Sequence, residues 1–412
     1  MQWLFIHQNC PGQFRGLLPA LLKRGHAVAA IGSRPMPQPP PGLRYCDYPD
    51  LVSSSRSAAA AAARLVDPDL ELNLRRASRV ADLARELRLG GLQPDVVVFH
   101  SGWGEGLYLR DIWPNAALIA YPELYASARL MGYGFDPDLS ALSEGTRMAL
   151  RRQNFMALAA IADSDAAVAP TLFQRDTFPP HLRGRFQVIH EGVDVEQVRP
   201  NPNRHVQLKP GLMLRRGDPV ITYVSRSLEP LRGFRSFMRA LPELQARHPS
   251  AQVLIVGDPN GASYSRPSAH PDGYWGEMLA LLGHRLDLNR IHCLGRLSYA
   301  ELLAVLQLSA AHVYFSYPYA LSWSLLEAMA CGAVVVGSAN GPVDEVIQHG
   351  HNGLLVPFAA HDQLAATLLQ VLADPVAHAP LGLEARATVQ QRYTLEACAM
   401  GYEQLASSLK LA

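Results

Sequence analysis

At 412 residues, 49% hydrophobic, 18% charged and with a net charge of +1, the chain is too long for one core and too evenly charged for a nucleic-acid-binding surface. No apolar run approaches the roughly 20 residues of a membrane helix, and the opening MQWLFIHQNC lacks the basic stretch of a secretory signal. Cys10, Cys46, Cys293, Cys331 and Cys398 stand far apart without CxxC pairs, which argues against a disulfide framework or zinc site and fits a reducing, cytoplasmic setting.

Short apolar runs alternate with helical stretches along the chain. In the first half, strands are predicted at 2–8 (QWLFIHQ), 27–33 (AVAAIGS), 95–101 (DVVVFHS), 116–122 (AALIAYP), 166–171 (AAVAPT) and 186–192 (FQVIHEG). Helices such as FRGLLPALLKRG and RRASRVADLARELR fall between them. Segment 34–60, with RPMPQPPPGLRY and then SSSRSAAAAAA, is expected to be a loop beside the site. The Pro- and Asn-rich stretch 193–211 is expected to join two domains. The second half repeats the pattern, with strands expected at 219–225, 251–258, 291–296, 310–316, 332–338 and 353–358, and a second Pro-, Gly- and Ser-rich loop at 258–274. Buried parallel strands with helices on both faces are implied, in two Rossmann-like α/β domains. Their expected bounds are 1–195 and 196–390, with a C-terminal helix in 391–412 packing back on the first.

In such sheets ligands bind beyond the carboxyl ends of the strands. After the first strand comes Asn9-Cys10-Pro11-Gly12-Gln13-Phe14-Arg15, whose Pro-Gly turn lets backbone N–H groups approach an anion or a hydroxylated ligand. It also reads as an ordinary turn. It is not GxGxxG, so a dinucleotide cofactor is not expected. His100-Ser101-Gly102-Trp103-Gly104 ends another strand and presents an imidazole that would orient a hydroxyl or move a proton, or that is simply structural. Arg226 and Arg232 flank the turn SRSLEPLRG, with Gly233 opening a helix. Two guanidinium forks there suit a diphosphate, the alternative being surface arginines paired with Glu229. In YPYALSWSLLEAMACGAVVVGS (317–338), Glu327 stands almost alone as a charge. Ser322 and Ser324 are N-cap candidates, Leu325, Leu326 and Met329 face inward, and Gly332 ends the helix. Glu327 is expected in the first turn, placed to accept hydrogen bonds from a vicinal diol or merely to complement the helix dipole. The DPD triplets at 67–69 and 136–138 and DSD at 163–165 follow no strand with a site around it, so no metal is expected.

Together these segments resemble family 4 glycosyltransferases, retaining GT-B enzymes that use nucleotide-sugar donors. HQNCPGQFRGLLPALLKRGHAV looks like that family's first strand, glycine loop and helix, and FQVIHEGVDVEQVRP like its entry to the linker. VSRSLEPLRGF resembles its GR-x-x-x-x-KG segment and HCLGRLSYAELLAVLQLS its base-binding strand and helix; LLEAMACGAVVVGSANGPVDEVIQHGHNGLLV is the most specific piece. The resemblance implies a GT-B architecture, two Rossmann-like domains facing across a cleft. It places Arg226 on the donor diphosphate and Arg232 where the family usually has lysine. It gives Glu327 the second position of the E-x7-E motif, on the nucleotide ribose, and puts Gly295, Arg296 and Leu297 against the base. His100 falls near the transferred sugar and Gly12 in the glycine loop. Leu321, Ser322 and Trp323 would offer backbone N–H groups to the diphosphate. One departure is large: Tyr319 stands where the first glutamate of the motif, a ligand of the donor sugar, would be.

The expected activity is transfer of a sugar from a UDP- or GDP-linked donor to a glycan, lipid-linked or small-molecule acceptor hydroxyl, with retention and without a metal or other cofactor. The acceptor is expected near 10–15 and 100–106, with Gln13, Arg15 and Trp103, and near 121–135 (YPELYASARLMGYGF), whose aromatics would stack on a sugar or are plain core. Alternatives are another GT-B enzyme such as an epimerase and, because of Tyr319, a catalytically silent sugar-nucleotide- or glycan-binding subunit. Peripheral membrane contact and oligomeric state stay open.

Overall fold

The computed structural model describes residues 1–49 and 68–410. Their contacts form two units, one drawn from Met1–Ser127, Ser143–Gly192 and Leu395–Ala412, the other from Ala128–Leu142 and Val193–Thr394.

The first unit is a seven-stranded sheet of β1 (Gln2–Ile6), β2 (Ala27–Gly32), β3 (Arg44–Asp47), β4 (Val96–His100), β5 (Ala117–Tyr121), β6 (Ala166–Ala169) and β7 (Phe186–Val188). The order is β3-β2-β1-β4-β5-β6-β7 and every pairing is parallel. Strands β4 and β5 are buried at every residue, as helix-covered parallel strands must be. Alternate residues of β1 supply opposite faces. Leu4 and Ile6 pack with Val80, Ala81 and Ala84 of the helix Pro68–Leu89, whereas Trp3 and Phe5 pack with Phe14, Leu17 and Leu21. Cys398, Ala399, Tyr402, Leu405 and Ala406 of the helix Leu395–Lys410 complete that second face. Arg24 of this unit bridges Glu403 at 2.7 Å, fixing the same helix from outside.

The second unit opens with an antiparallel hairpin, β8 (His205–Lys209) and β9 (Leu212–Arg215). Its main sheet is β10 (Val220–Ser227), β11 (Gln252–Asp258), β12 (Ile291–Gly295), β13 (Ala311–Tyr314), β14 (Val334–Ser338) and β15 (Leu354–Val356). The order β12-β11-β10-β13-β14-β15 is again wholly parallel. Ile221, Tyr223, Val253 and Ile255 bury one face against Phe234, Phe237 and Leu241, and Val220, Leu254 and Val256 the other against Val305 and Leu308. Each such side chain contributes about 1.5–3 kcal/mol when fully buried.

Three strands differ from expectation. Strand β3 lies in the proline-rich stretch expected to be a loop, and β8–β9 in and just beyond the expected linker. None is a buried apolar run: β3 is an edge strand, and β8 alternates exposed residues with Val206 and Leu208. The Ser- and Ala-rich residues 53–63 lie outside the described residues. Among the described residues no single helix is long and apolar enough to cross a membrane.

Both sheets reverse direction beside their first strand, between β1 and β4 and between β10 and β13. These are the topological switch points of open α/β sheets, where ligands bind.

Candidate functional site

In the second unit, β10 runs out into a turn ending at Pro230–Arg232 and Gly233. Gly233 has φ +70°, and a Cβ there would lie 2.3 Å from Phe315 Cβ at the end of β13, so only glycine lets the turn sit this close. The turn is further fixed by Tyr223, whose hydroxyl donates to the Arg232 carbonyl at 2.8 Å. The Arg232 guanidinium donates to Ala320 O at 3.3 Å and lies 5.3 Å from the centre of the Tyr264 ring and 6.0 Å from that of Tyr319. Those two rings are 5.3 Å apart. Among the described residues no carboxylate forms an ion pair with Arg232. A half-buried cation therefore stands at the switch point with a carbonyl and two aromatic faces around it. Arg226 is exposed on β10.

Glu229 is not the surface partner of these arginines. It is fully buried, and one oxygen, Oε2, accepts the backbone N–H groups of Tyr264 at 2.9 Å and Ser265 at 2.8 Å, while Oε1 has no hydrogen-bond partner among the described residues. Ser227 Oγ meets Ser263 Oγ at 2.8 Å, and Ser265 Oγ accepts from Leu231 N at 3.3 Å. The loop carrying Tyr264 is thus stitched along the arginine turn.

The helix Trp323–Ala330 begins at Ser322, which occupies the N-cap position without a capping hydrogen bond; its hydroxyl meets Ser324 Oγ at 3.2 Å. Glu327 is therefore the fifth helical residue and not in the first turn. Its side chain is 3% exposed, and Oε1 accepts from the Tyr299 hydroxyl at 2.9 Å. A capping box of Ser298 and Glu301 starts the helix that carries Tyr299. The Ser322 N–H, expected to face a diphosphate, donates to Tyr314 Oη at 2.8 Å. Leu321 is buried, whereas Trp323 and Tyr319 are half-buried. At the end of β12, Gly295 has φ +66°, with nothing among the described residues within 4 Å of its Cβ position. Arg296 is exposed and pairs with Asp258 at 2.9 Å, and Leu297 packs on the core beneath β10 and β11.

In the first unit, His7 follows β1 and His100 ends the adjacent β4. Their rings are 5.0 Å apart, and Trp103 stacks on His100 at 4.1 Å and 16°. Each imidazole Nδ1 accepts the N–H two residues on, Asn9 N at 2.9 Å and Gly102 N at 3.2 Å. Burial, aided by His100, pushes the His7 pKa from 6.5 down to about 3, so His7 is neutral and carries its proton on Nε2. That proton is directed at Gln13 Oε1, 2.5 Å away. Gly12, at φ +48°, makes room: a Cβ would lie 2.3 Å from the His7 ring. Gln13 Nε2 lies 3.5 Å from Glu123 Oε1, and His100 Nε2 is 3.6 Å from Glu123 Oε2. Arg15 is exposed.

His100, Trp103, Gln13 and Gly12 thus come together, as do Arg232, Tyr319 and the 320–323 segment. His7, Glu123, Glu229, Tyr264 and Tyr299 are additions. Their only signal in sequence is position, His7 and Glu123 standing just after strand ends. Asp136 and Asp138 engage Tyr317 and Arg239, Asp165 engages Arg110, and Asp67 lies outside the described residues. No group of three His, Cys, Asp or Glu able to hold a metal occurs among the described residues.

Residues 24–198 match the family model Glycosyl transferase family 4 group, and residues 208–388 match Glycosyl transferases group 1. They support a family 4-type glycosyltransferase. The chain is similar to the D-inositol 3-phosphate glycosyltransferase of Rhodococcus jostii (strain RHA1), 30% identical over 230 residues, 55% of this chain and 48% of that protein. It is also similar to the GDP-mannose-dependent monoacylated alpha-(1-6)-phosphatidylinositol monomannoside mannosyltransferase of Corynebacterium glutamicum, 30% identical over 222 residues, 51% of this chain and 53% of that protein. It spans about half the length of these relatives. Among solved structures, the sucrose-phosphate synthase (tll1590) of Thermosynechococcus elongatus has a TM-score of 0.72 at 20% identity, over 99% of both chains. Anabaena HepE in complex with UDP and glucose gives 0.70 at 18% identity, over 99% of this chain and 100% of that one. These likenesses give the fold, two Rossmann-like α/β domains of the GT-B type.

Proposed function

We propose that the chain transfers a sugar from a nucleotide-diphosphate sugar to an acceptor hydroxyl, with retention of configuration. The second unit holds the donor and the first the acceptor. The observation that carries this is Arg232, an arginine held at the switch point of a Rossmann sheet by Gly233 and Tyr223 and, among the described residues, in no ion pair with a carboxylate. A leaving diphosphate develops charge that a fixed guanidinium stabilises without reorganisation. Arg226, exposed nearby in sequence, adds positive field. Glu327, with Tyr299 donating to one oxygen, is the ribose ligand of this reading, and Gly295, Arg296 and Leu297 border the base. In the first unit His100 and Gln13 bind acceptor or sugar hydroxyls, and Trp103 offers an aromatic face. No protein nucleophile is invoked, and none of the residues named needs a metal.

Tyr319 favours a second reading, a binding subunit without turnover, because a phenol replaces the carboxylate expected beside the sugar. One experiment separates the two. Nucleotide release from UDP-, GDP- and ADP-sugars is followed with and without sugar acceptors, beside calorimetric nucleotide binding. Turnover that disappears in Arg232→Ala supports the transferase, and NMR of the product reads its anomeric configuration. Tight nucleotide binding without turnover favours the binding subunit. An Arg232→Ala variant unchanged in both binding and turnover refutes the assignment of the site.

A further inference from the structure

A chain of hydrogen-bonding groups in the first unit has a fixed direction at both ends. Asn9 N–H donates to His7 Nδ1 and Gly102 N–H donates to His100 Nδ1, so in both rings Nδ1 is the acceptor and Nε2 is the nitrogen that donates. From one end, His7 Nε2–H takes Gln13 Oε1, which turns the Gln13 amide nitrogen toward Glu123 Oε1. From the other, His100 Nε2 faces Glu123 Oε2. Donors converge on Glu123 from both sides, and only a carboxylate, which accepts and does not donate, satisfies them.

The backbone holds Glu123 at a cost. Its φ of +59° makes it the non-glycine residue in the left-handed region among the described residues. Gln174 Nε2 pins its carbonyl at 3.0 Å, while Leu124 N closes on Pro122 O at 2.7 Å. Non-glycine residues in this conformation concentrate at functional sites, where surrounding structure imposes it. At the same point His100, 2% exposed, has an Nε2 without a hydrogen-bond partner among the described residues.

The 3.6 Å between His100 Nε2 and Glu123 Oε2 is too long for a good hydrogen bond. It suits a bridging hydroxyl, whose oxygen sits about 2.8 Å from both, accepting from the imidazole and donating to the carboxylate. We propose that Glu123 is a specificity-determining carboxylate of this enzyme and that, with His100, it brackets one hydroxyl of a sugar. Trp103, stacked on His100, supplies the apolar wall of the subsite, and the His7–Gln13 pair holds the carboxylate in place. The inference rests on the sugar-transfer reading above.

The test uses the full chain with Glu123→Gln and Glu123→Gly. Glycine relieves the left-handed backbone, so that variant is expected to melt no lower than wild type, which separates loss of function from loss of fold. Binding of UDP and GDP alone is expected to be unchanged in both. If the hydroxyl belongs to the donor sugar, affinity for UDP-glucose or GDP-mannose falls about 10- to 100-fold, the loss expected for one charge-assisted hydrogen bond. If it belongs to the acceptor, donor binding and acceptor-free donor hydrolysis persist while KM for the sugar acceptor rises by a similar factor. Either outcome supports the proposal. Active wild type with both variants within twofold of it in all these constants overturns the proposal and leaves the transferase reading standing. Wild type that neither binds nor turns over any donor sinks both.

Discussion

His312 provides a quantitative check on the second unit. It lies in β13 with no exposed surface, its Nδ1 2.8 Å from Thr222 Oγ1 and its Nε2 without a hydrogen-bond partner among the described residues. Burial pushes its pKa from the ordinary 6.5 down to about 3. Between those values the unfolded chain binds a proton that the folded chain does not. Stability is therefore complete above pH 6.5 and falls with decreasing pH until about pH 3. Integrating that difference from pH 7 to pH 5 gives a loss of about 2 kcal/mol from this one group. Urea denaturation at the two pH values, for wild type and His312→Gln, isolates it. The glutamine can keep the contact with Thr222 but does not titrate, so wild type should lose about 2 kcal/mol more than the variant. Equal losses would mean that His312 is not held neutral, and the reasoning from its burial would fail.

Gly233→Ala should destabilise the second unit, since it adds the left-handed backbone cost of about 1–2 kcal/mol to an overlap with Phe315 worth about 1–3 kcal/mol. It should also weaken nucleotide-sugar binding by moving Arg232; a variant with unchanged melting and affinity contradicts the close approach of the turn to β13. Glu229→Ala strips the acceptor from the Tyr264 and Ser265 N–H groups, at about 1–3 kcal/mol for each buried group left unsatisfied. Limited proteolysis by chymotrypsin after Tyr264 should then accelerate, while Glu229→Gln, which keeps an oxygen there, stays near wild type. Equal cleavage rates for the alanine variant and wild type would show that the loop is held by other means.

Much of the fold is legible in the sequence because fully buried parallel strands announce themselves: VVVFH, ALIAY and VVVGS need no partner to be read. Strand β3 and the β8–β9 hairpin are not legible that way, since an edge strand and a half-exposed hairpin lack continuous apolar runs, and proline, glycine and asparagine around them read as loop. The same contrast runs through the site. His100, Arg232 and Glu327 stand in recognisable local settings after strands or on a short helix. Glu327 is placed one turn too early only because Ser324 competes with Ser322 as the helix start, and the Tyr314 hydroxyl on Ser322 N–H lies outside any local pattern. Glu229 reaches Tyr264 across a separation of 35 residues, and Gln13 reaches Glu123 across 110. The left-handed backbone of Glu123 is imposed by its surroundings and leaves no mark in the residues beside it.

The helix Leu395–Lys410 carries a consequence for how the protein is made. It is synthesised after the whole of Val193–Thr394, yet its Tyr402 and Ala399 close the face formed by Trp3, Phe5 and Leu18. On the ribosome, that face waits uncovered while some two hundred residues emerge, long enough for a chaperone, or an unrelated nascent chain, to find it first. For the same reason no single cut releases either unit intact. A stable fragment of the first would have to be built by grafting the late helix directly after Gly192 and closing the gap left by Ala128–Leu142.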